Sequence, residues 1–309
     1  MQKHHPLSNE YPRVIRLDRG GYTTCNIILK GASITSWRIE DEEQLFLSRR
    51  TRLDDYHKYR GGITIVFPHF EDWSFGRNHG FARDLIWSVK DGPKTDQYGD
   101  VHLELSLKSN CFTKSNWNYD FDLQYRIILK ERSLDLKLLV LNLSKHETFY
   151  FQIAFHYHIK VKDSNKVAVA GVKNLMYRDF LDSSMELPFK TFYNDKFQLA
   201  TPIDVVIYNT GNALQFISKG DDKIIGITKT SNMPDFSIWS TGLRRNLPNP
   251  REFDADELTS FIGTDIGNLS KVYLAPQSTW LASQNIEIKK ENQTRGIMKN
   301  FIDYFDDIC

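Results

Sequence analysis

The sequence predicts an all-β protein, and three observations favour this class. Aromatic residues make up 13% of the 309 residues, which suits the half-buried surface of pleated strands. The apolar stretches are rich in Ile, Val, Phe, Tyr and Thr, and they are short, alternating and bounded by polar turns. No repeat and no linker rich in Gly, Ser or Pro interrupts them. We therefore expect one domain over residues 1–309, with a core at about 20–288 and a C-terminal tail at 289–309.

The strands can be placed in chain order from these stretches. Lys30-Gly31 separates the first two, an acidic turn at 41–43 precedes the third, and short turns at 131–133 and 220–222 join later neighbours. A proline-rich loop at 242–250 and a short terminal helix at 297–305 complete the prediction. The predicted strands are 22–29, 32–39, 44–47, 85–89, 101–107, 121–130, 134–143, 149–161, 205–208, 213–218, 223–228, 236–239, 258–266, 271–274 and 280–288. So many strands in one domain stack as two sheets or close as a barrel, and both leave a concave face for a ligand.

Residues 149–161 show the clearest alternation. At a period of two, one face carries only aromatic and aliphatic side chains, from Phe149 to Val161. We expect this face to pack into the core and the other face to line a cleft or to meet water. The second face carries Tyr150, Gln152, Ala154, His156, His158 and Lys160.

Charge balance and cysteine content restrict the function and the compartment. With 40 basic and 39 acidic residues, the chain has no overall field that would draw it onto nucleic acid or an anionic membrane, and we expect neither partner. Three widely spaced cysteines favour a reducing compartment over a disulfide framework. No signal peptide and no long apolar run is recognisable. We expect a cytoplasmic protein that is a monomer or a weak dimer.

The stretch 60–83 predicts a binding site. It contains four glycines, two histidines and three arginines among apolar residues. An arginine close to a core is costly unless it binds an anion or pairs with a carboxylate. Arg60, Arg77 and Arg83 are therefore candidates for an anion site, and solvated surface positions are the alternative.

His156 and Asp265 are candidates for proton transfer. An imidazole with an ordinary pKa near 6.5 donates or accepts a proton at neutral pH, although His156 could equally be structural, or could bind a metal together with His158. Asp265 lies between apolar residues and glycines, as either a paired structural carboxylate or a base with a raised pKa. The chain contains no Gly-x-Gly-x-x-Gly motif, no phosphate-binding loop and no Gly-x-Ser-x-Gly elbow, which argues against nucleotide-binding and serine hydrolase functions.

Several motifs in order resemble one family, the glucose-6-phosphate 1-epimerases, or hexose-6-phosphate mutarotases, of the galactose-mutarotase-like superfamily. The similarity is strongest at His79-Gly80-Phe81-Ala82-Arg83 with Trp87, and it extends over nearly the whole predicted core. The other matching segments are 29–37, 45–48, 60–63, 67–68, 155–157, 194–196, 238–239, 261–267, 274–276, Trp280 and 283–284.

The resemblance implies an antiparallel β-supersandwich with few short helices, which interconverts the α and β anomers of a hexose phosphate without a metal or another cofactor. It implies His156 as general acid and Asp265 as the catalytic carboxylate. Protonation of the ring oxygen and removal of the anomeric hydroxyl proton require such a pair. The resemblance further implies a set of substrate-binding residues, namely Arg60, His69, His79, Arg83, Asp195 and Trp239.

The chain departs from the family pattern around the expected pocket. The usual catalytic glutamate is Asp265, the usual glutamine after Phe-Pro is His69, and the usual Trp-Asn pair reads Trp239-Ser240. A catalytic group displaced by about 1 Å can lose on the order of a hundredfold in rate. A sugar-phosphate binding or regulatory protein without turnover, and a scaffold for protein partners, are therefore alternatives to the enzyme.

Overall fold

The protein is built from two antiparallel sheets, which confirms the all-β prediction. The computed structural model describes residues 14–54, 57–74, 76–182, 189–199, 202–240 and 253–290. The predicted terminal helix at 297–305 and the predicted loop at 242–250 lie outside these ranges. No helix within the described ranges is long and apolar enough to span a membrane.

The described residues contain twenty strands, one α-helix and two short 3₁₀ turns. The helix α1 is Cys111–Asn116, and the 3₁₀ turns are Ala82–Asp84 and Ser164–Lys166. The strands are β1 (Val14–Gly20), β2 (Thr23–Ile28), β3 (Ser33–Ile39), β4 (Glu42–Glu43), β5 (Ile63–Val66), β6 (Ser88–Thr95), β7 (Val101–Lys108), β8 (Phe121–Leu129), β9 (Ser133–Asn142), β10 (Phe149–Lys160), β11 (Val167–Ala170), β12 (Met176–Asp179), β13 (Lys190–Thr191), β14 (Lys196–Gln198), β15 (Ile203–Ile207), β16 (Ala213–Ser218), β17 (Lys223–Lys229), β18 (Asp235–Ser240), β19 (Phe261–Leu274) and β20 (Thr279–Lys290).

Each sheet has a continuous strand order. In the described residues, the first sheet runs β1-β2-β3-β5-β10-β19-β18-β15-β12-β13, with β4 paired to β3, and the second runs β14-β11-β16-β17-β20-β9-β8-β7-β6. The long strands β10 and β19 pair along nearly their whole length at the centre of the first sheet. Residues far apart in sequence therefore become direct neighbours there.

The core fills the space between the two sheets. The apolar face predicted for 149–161 is buried throughout, and Phe155 on β10 packs against Tyr125 on β8 with ring centroids 5.6 Å apart. Polar groups inside this core are paired across it, since the Tyr157 hydroxyl donates to Gln284 Oε1 at 2.7 Å and Gln284 Nε2 donates to the Ile266 carbonyl at 2.8 Å. The opposite face of β10 is thus left for the site described below.

Several element boundaries differ from the prediction. The stretches 258–266 and 271–274 join into the single strand β19, because pairing with β10 resumes at Val272 after an irregularity in which residues 269–271 of β19 lie opposite the single residue Gln152. The strand expected at 85–89 begins at Ser88 and continues to Thr95, since an exposed edge strand can be polar on both faces. The stretch 44–47 makes only isolated bridges, through Leu45 and Leu47.

Candidate active site

A cavity of about 440 Å³ lies on the outer face of the first sheet, away from the second sheet. Five neighbouring strands, β5, β10, β19, β18 and β15, form its floor, and residues of the segments 58–61, 70–71 and 78–84 form its walls. The lining residues that matter most for chemistry are Lys58, Arg60, Thr64, Glu71, His79, Arg83, His156, His158, Asp204, Ser237, Trp239 and Asp265.

Strand register brings the candidate acid and base together. His156 on β10 lies opposite Asp265 on β19, and Asp265 lies opposite Ser237 on β18. On its other side His156 faces Thr64 of β5. Side chains at one register position point to the same face of a sheet. Four residues from four distant parts of the chain therefore form one row across the cavity floor.

The carboxylate of Asp265 is buried and fully engaged. Its Oδ1 lies 2.6 Å from His156 Nδ1, and its Oδ2 accepts a hydrogen bond from the Ser237 hydroxyl at 2.7 Å. Burial alone would raise the pKa of Asp265, but the charge and the hydrogen bond of His156 outweigh it and lower that pKa to about 2. Asp265 is therefore an anion at neutral pH.

The ionised carboxylate fixes the tautomer of His156. A carboxylate without a proton only accepts hydrogen bonds, so Nδ1 of His156 carries the hydrogen that Asp265 binds. Nε2 is then the ring nitrogen that exchanges a proton with a bound molecule. The His156 ring also stacks on Trp239, with centroids 5.7 Å apart and planes 18° from parallel, which restricts its rotation.

Trp239 occupies its position because Gly263 has no side chain. A Cβ atom at Gly263 would lie only 2.0 Å from the indole ring of Trp239, so the ring lies directly over the backbone of β19. This close approach gives the glycine before Asp265 a definite role. It keeps a flat aromatic surface on the cavity floor beside His156.

His79 is a neutral hydrogen-bond donor in this site. Its Nδ1 accepts the backbone N–H of Glu71 at 3.1 Å, so its proton is on Nε2. Burial lowers the pKa of His79 to about 3, and the partly opposing attraction of Asp265 does not reverse this. His79 therefore holds no charge at neutral pH.

His158 lies beside the His156–Asp265 pair and has a packing role. It is 5% exposed, packs edge-on against Trp239 and His156, and burial lowers its pKa well below the ordinary value. The rings of His156 and His158 lie at 74° to each other, a packing arrangement rather than a convergent ligand pair. Among the described residues no group of three or more His, Cys, Asp or Glu could hold a metal ion.

Cationic side chains gather at one end of the cavity. Arg60 and Arg83 both line it together with Lys58, whereas Arg77 is exposed and forms an ion pair with Asp84 at 3.3 Å. Arg83 is oriented by a hydrogen bond to the Asn78 carbonyl at 2.6 Å. Two of the three arginines in the predicted anion site therefore converge on the cavity, and the third lies outside.

A buried carboxylate anchors the segment that carries Arg60. Glu257 accepts hydrogen bonds from the Ser48 hydroxyl and the Arg49 N–H, each at 2.8 Å. The Ser48 N–H in turn donates to the Arg60 carbonyl at 2.9 Å, and Thr51 exchanges hydrogen bonds with the Arg60 backbone. The position of the cationic end thus depends on a residue about two hundred positions later in the chain.

Two predicted substrate contacts lie outside the cavity lining. His69 stacks on Trp73 with centroids 5.9 Å apart and lines a separate cavity, because the chain turns between His69 and Glu71. Asp195 is 78% exposed in its side chain and pairs with Lys173 at 2.9 Å, in the turn before an edge strand of the second sheet. The remaining predicted residues, Arg60, His79, Arg83, His156, Trp239 and Asp265, all line the one cavity.

Several lining residues were not predicted. Ser237 shares a strand face with Trp239, so the alternation of the predicted strand 236–239 contained the signal for it. Glu71 and Asp204 also line the cavity, and burial raises the pKa of both carboxyls. The charge of Asp204 raises the pKa of Glu71 further, and the charge of Asp265 raises that of Asp204. No sequence pattern marked these two, since their proximity arises from tertiary packing.

A hydrogen-bonded imidazole and carboxylate in a cation-flanked cleft on a β-sheet are typical of enzymes that transfer protons on a small polar molecule. Comparisons with known proteins agree. A family model described as aldose 1-epimerase matches residues 13–287. The chain belongs to the aldose 1-epimerase family, a family of isomerases that act on sugars.

Comparisons with individual relatives show which members of the family the chain resembles. A protein of Cenchrus ciliaris described as "Putative glucose-6-phosphate 1-epimerase" is 27% identical over 229 residues, which cover 72% of this chain and 68% of that protein. A Salmonella typhimurium protein with the same description is 32% identical over 147 residues, or 47% of each. The crystal structure of a "putative mutarotase (YeaD)" from Salmonella typhimurium matches with a TM-score of 0.78 over 90% of both chains, at 21% identity. This likeness confirms the galactose mutarotase-like fold.

The neutral state of His79 predicts a pH dependence of stability. The unfolded chain takes up a proton at His79 near pH 6.5 and the folded chain only near pH 3, so lowering the pH through this window favours unfolding. Between pH 7 and pH 5, His79 should account for a loss of about 2 kcal/mol in the free energy of unfolding, measured with urea. His79→Asn, which tolerates the backbone φ of +63°, should remove that part of the loss. An unchanged pH dependence in this variant would contradict the assignment.

Proposed function

We propose that the protein is a hexose-6-phosphate mutarotase, which interconverts the α and β anomers of glucose 6-phosphate or a related hexose phosphate. The observation that carries this proposal is the His156–Asp265 contact on the floor of a cavity whose wall bears Arg60 and Arg83. An acid–base pair and an anion site within one cavity are what a phosphorylated sugar needs. The names of the Cenchrus ciliaris and Salmonella typhimurium relatives point to the same substrate class.

The proposed chemistry follows from the two oxygens on the anomeric carbon. Ring opening needs a proton delivered to the ring oxygen and a proton removed from the anomeric hydroxyl. Protonated His156 donates from Nε2 to the ring oxygen while Asp265 accepts the hydroxyl proton. Both oxygens are bonded to one carbon, so an acid and a base on adjacent strands, with Cβ atoms about 5 Å apart, match their spacing.

The open-chain aldehyde then completes the reaction. Rotation about the bond between C1 and C2 presents the other face of the carbonyl, and the ring closes with the proton transfers reversed. Asp265 returns a proton to the carbonyl oxygen and His156 recovers its own from the attacking hydroxyl. Acid and base are restored after each turnover, so the residues of this chain suffice for the proton balance.

The other lining residues have roles that their chemistry suggests. Trp239 offers a flat apolar face against the sugar ring, and His79 donates from Nε2 to a sugar oxygen. Glu71 and Asp204 accept hydrogen bonds from hydroxyl groups at the end away from the arginines. Lys58, Arg60 and Arg83 bind the phosphate. These assignments orient the anomeric carbon above the central row of the floor.

A second candidate function has one specific observation in its favour. A general base works best with a pKa near the working pH, and the pKa of Asp265 is about 2, with both carboxylate oxygens already hydrogen-bonded. A carboxylate with these properties is compatible with a protein that binds a hexose phosphate without turnover. Isothermal calorimetry that gives heat of binding for glucose 6-phosphate, with no acceleration of anomerisation over buffer, would support this second function.

Turnover by the proposed pair can be tested with single substitutions. The wild-type protein should accelerate the α-to-β conversion of glucose 6-phosphate, followed by polarimetry against a buffer blank. His156→Ala and Asp265→Asn should each lose at least about a hundredfold of this acceleration, because each removes one proton-transfer group. His146→Ala, a change at an exposed histidine outside the cavity, serves as the matched control. If wild-type protein does not accelerate the anomerisation of glucose 6-phosphate beyond the buffer rate, the proposed enzymatic activity is wrong.

The phosphate role of Arg60 can be tested by comparing two substrates. Arg60→Ala should raise the KM for glucose 6-phosphate roughly tenfold, since one charge-assisted contact is lost, while the KM for glucose stays within about twofold. Arg16→Ala, at an exposed arginine on β1, is the matched control. If Arg60→Ala raises the KM for both substrates by the same factor, Arg60 supports the cavity wall and does not contact the phosphate.

A further inference from the structure

A second cavity of about 330 Å³ lies behind the segment that forms one wall of the candidate active site. We call it the aromatic cavity, because the rings of Trp73, Trp117, Tyr119, Tyr150 and His69 line it. It shares no lining residue with the first cavity among the residues described. Its location on the far side of the segment 68–73 makes it a separate site and not an extension of the cleft.

The accessible ring surface belongs mainly to Tyr150, since Trp117 is only 9% exposed and Trp73 packs partly against the core. Trp73 and His69 stack with their planes 10° apart, and Tyr150 remains 38% exposed. The Lys271 ammonium lies 4.4 Å from the centre of the Tyr150 ring and supports it from the rim. Large aromatic side chains normally bury their area in the core, so several of them around one opening mark a binding surface.

Polar groups without partners accompany these rings. In the described structure, the side chains of Asn118 and Glu147 line the aromatic cavity and make no hydrogen bond or ion pair with the protein. Both side chains are exposed, so their oxygen and nitrogen atoms are available to a bound molecule. The His69 ring is held by the backbone of Phe70 and Glu71, which fixes its orientation in the wall of the cavity.

The charges at this site select against a phosphate. No lysine or arginine lines the aromatic cavity in the described residues, Glu147 is acidic, and burial lowers the pKa of His69, with the charge of Lys271 adding to the effect. The site therefore offers aromatic faces, one carboxylate, one amide and one neutral imidazole. Aromatic faces carry negative potential and attract the C–H faces of a sugar ring, while the polar groups bind hydroxyls.

We propose that the aromatic cavity binds a pyranose ring of a neutral, unphosphorylated saccharide. Its volume lies at the lower end of the range for small-molecule pockets and fits a single sugar ring. The site is independent of the acid–base pair, and the proposal does not rest on the mutarotase function. Pro68 and Phe70 are tied to Gln152 on β10 by hydrogen bonds of 2.8 and 3.2 Å, so the wall between the two cavities is well defined.

Nuclear magnetic resonance of the tryptophan indoles tests this proposal, with maltotriose as the probe. Saturable shifts are expected for the Nε1–H signals of Trp73 and Trp117, which Trp→Phe variants assign, and the same shifts are expected in His156→Ala. Glu147→Ala and Tyr150→Ala should each weaken binding at least about tenfold, because each removes one polar or stacking contact at an exposed position. Tyr98→Ala, at a tyrosine that is exposed elsewhere, should bind as wild type does.

Two results would overturn the proposal. The first is the absence of any shift at Trp73 and Trp117 at tens of millimolar maltotriose, a concentration at which even weak sites fill. The second is a set of maltotriose-induced shifts at Trp239 that is lost when residues of the first cavity are substituted and is retained in Glu147→Ala. Such shifts would place the saccharide in the first cavity. Glucose 6-phosphate should shift Trp239 and leave Trp73 unchanged, so a failure of the mutarotase proposal and a failure of this one give different spectra.

Discussion

The hydrogen bond between His156 and Asp265 is the interaction on which the rest of the site depends. It exists because β10 and β19 pair in a register that places these two residues opposite each other at the centre of the first sheet. Ser237 completes the arrangement from β18 and occupies the second carboxylate oxygen. A slip of one residue in either strand would turn the pair toward the core. The apolar alternation of β10, buried against the second sheet, therefore fixes the chemistry as well as the fold.

The site separates charge along its length. Lys58 and Arg60 precede β5 at one edge of the cavity floor, Asp204 lies on β15 at the opposite edge, and the strands between them carry His156, Asp265 and Trp239. A chain with 40 basic and 39 acidic residues has no strong overall field, so under the proposed function this local separation of charge is what would orient a sugar phosphate. The contact of Glu257 with Ser48 and Arg49 holds the cationic end in place from outside the cavity.

The sequence predicted the parts of this molecule that depend on local patterns. The period-two alternation of 149–161 located both the core face and His156, and the segment 261–267 located Asp265. Positions that depend on tertiary packing could not be predicted in this way. His69 and Asp195 were expected in the site, but a chain turn and a sheet edge place them elsewhere. Glu71 and Asp204 enter the cavity from segments without a motif, so nothing in their sequence neighbourhood indicated them.

The proposed chemistry depends on the orientation of the His156 ring, which nitrogen-15 NMR of the histidine side chains measures. The spectrum of the neutral imidazole should show the proton on Nδ1, held by the ionised Asp265, and a bare Nε2 that faces the cavity. In Asp265→Asn this tautomer preference should weaken or reverse. A wild-type His156 with its proton on Nε2 and a bare Nδ1 would contradict the account.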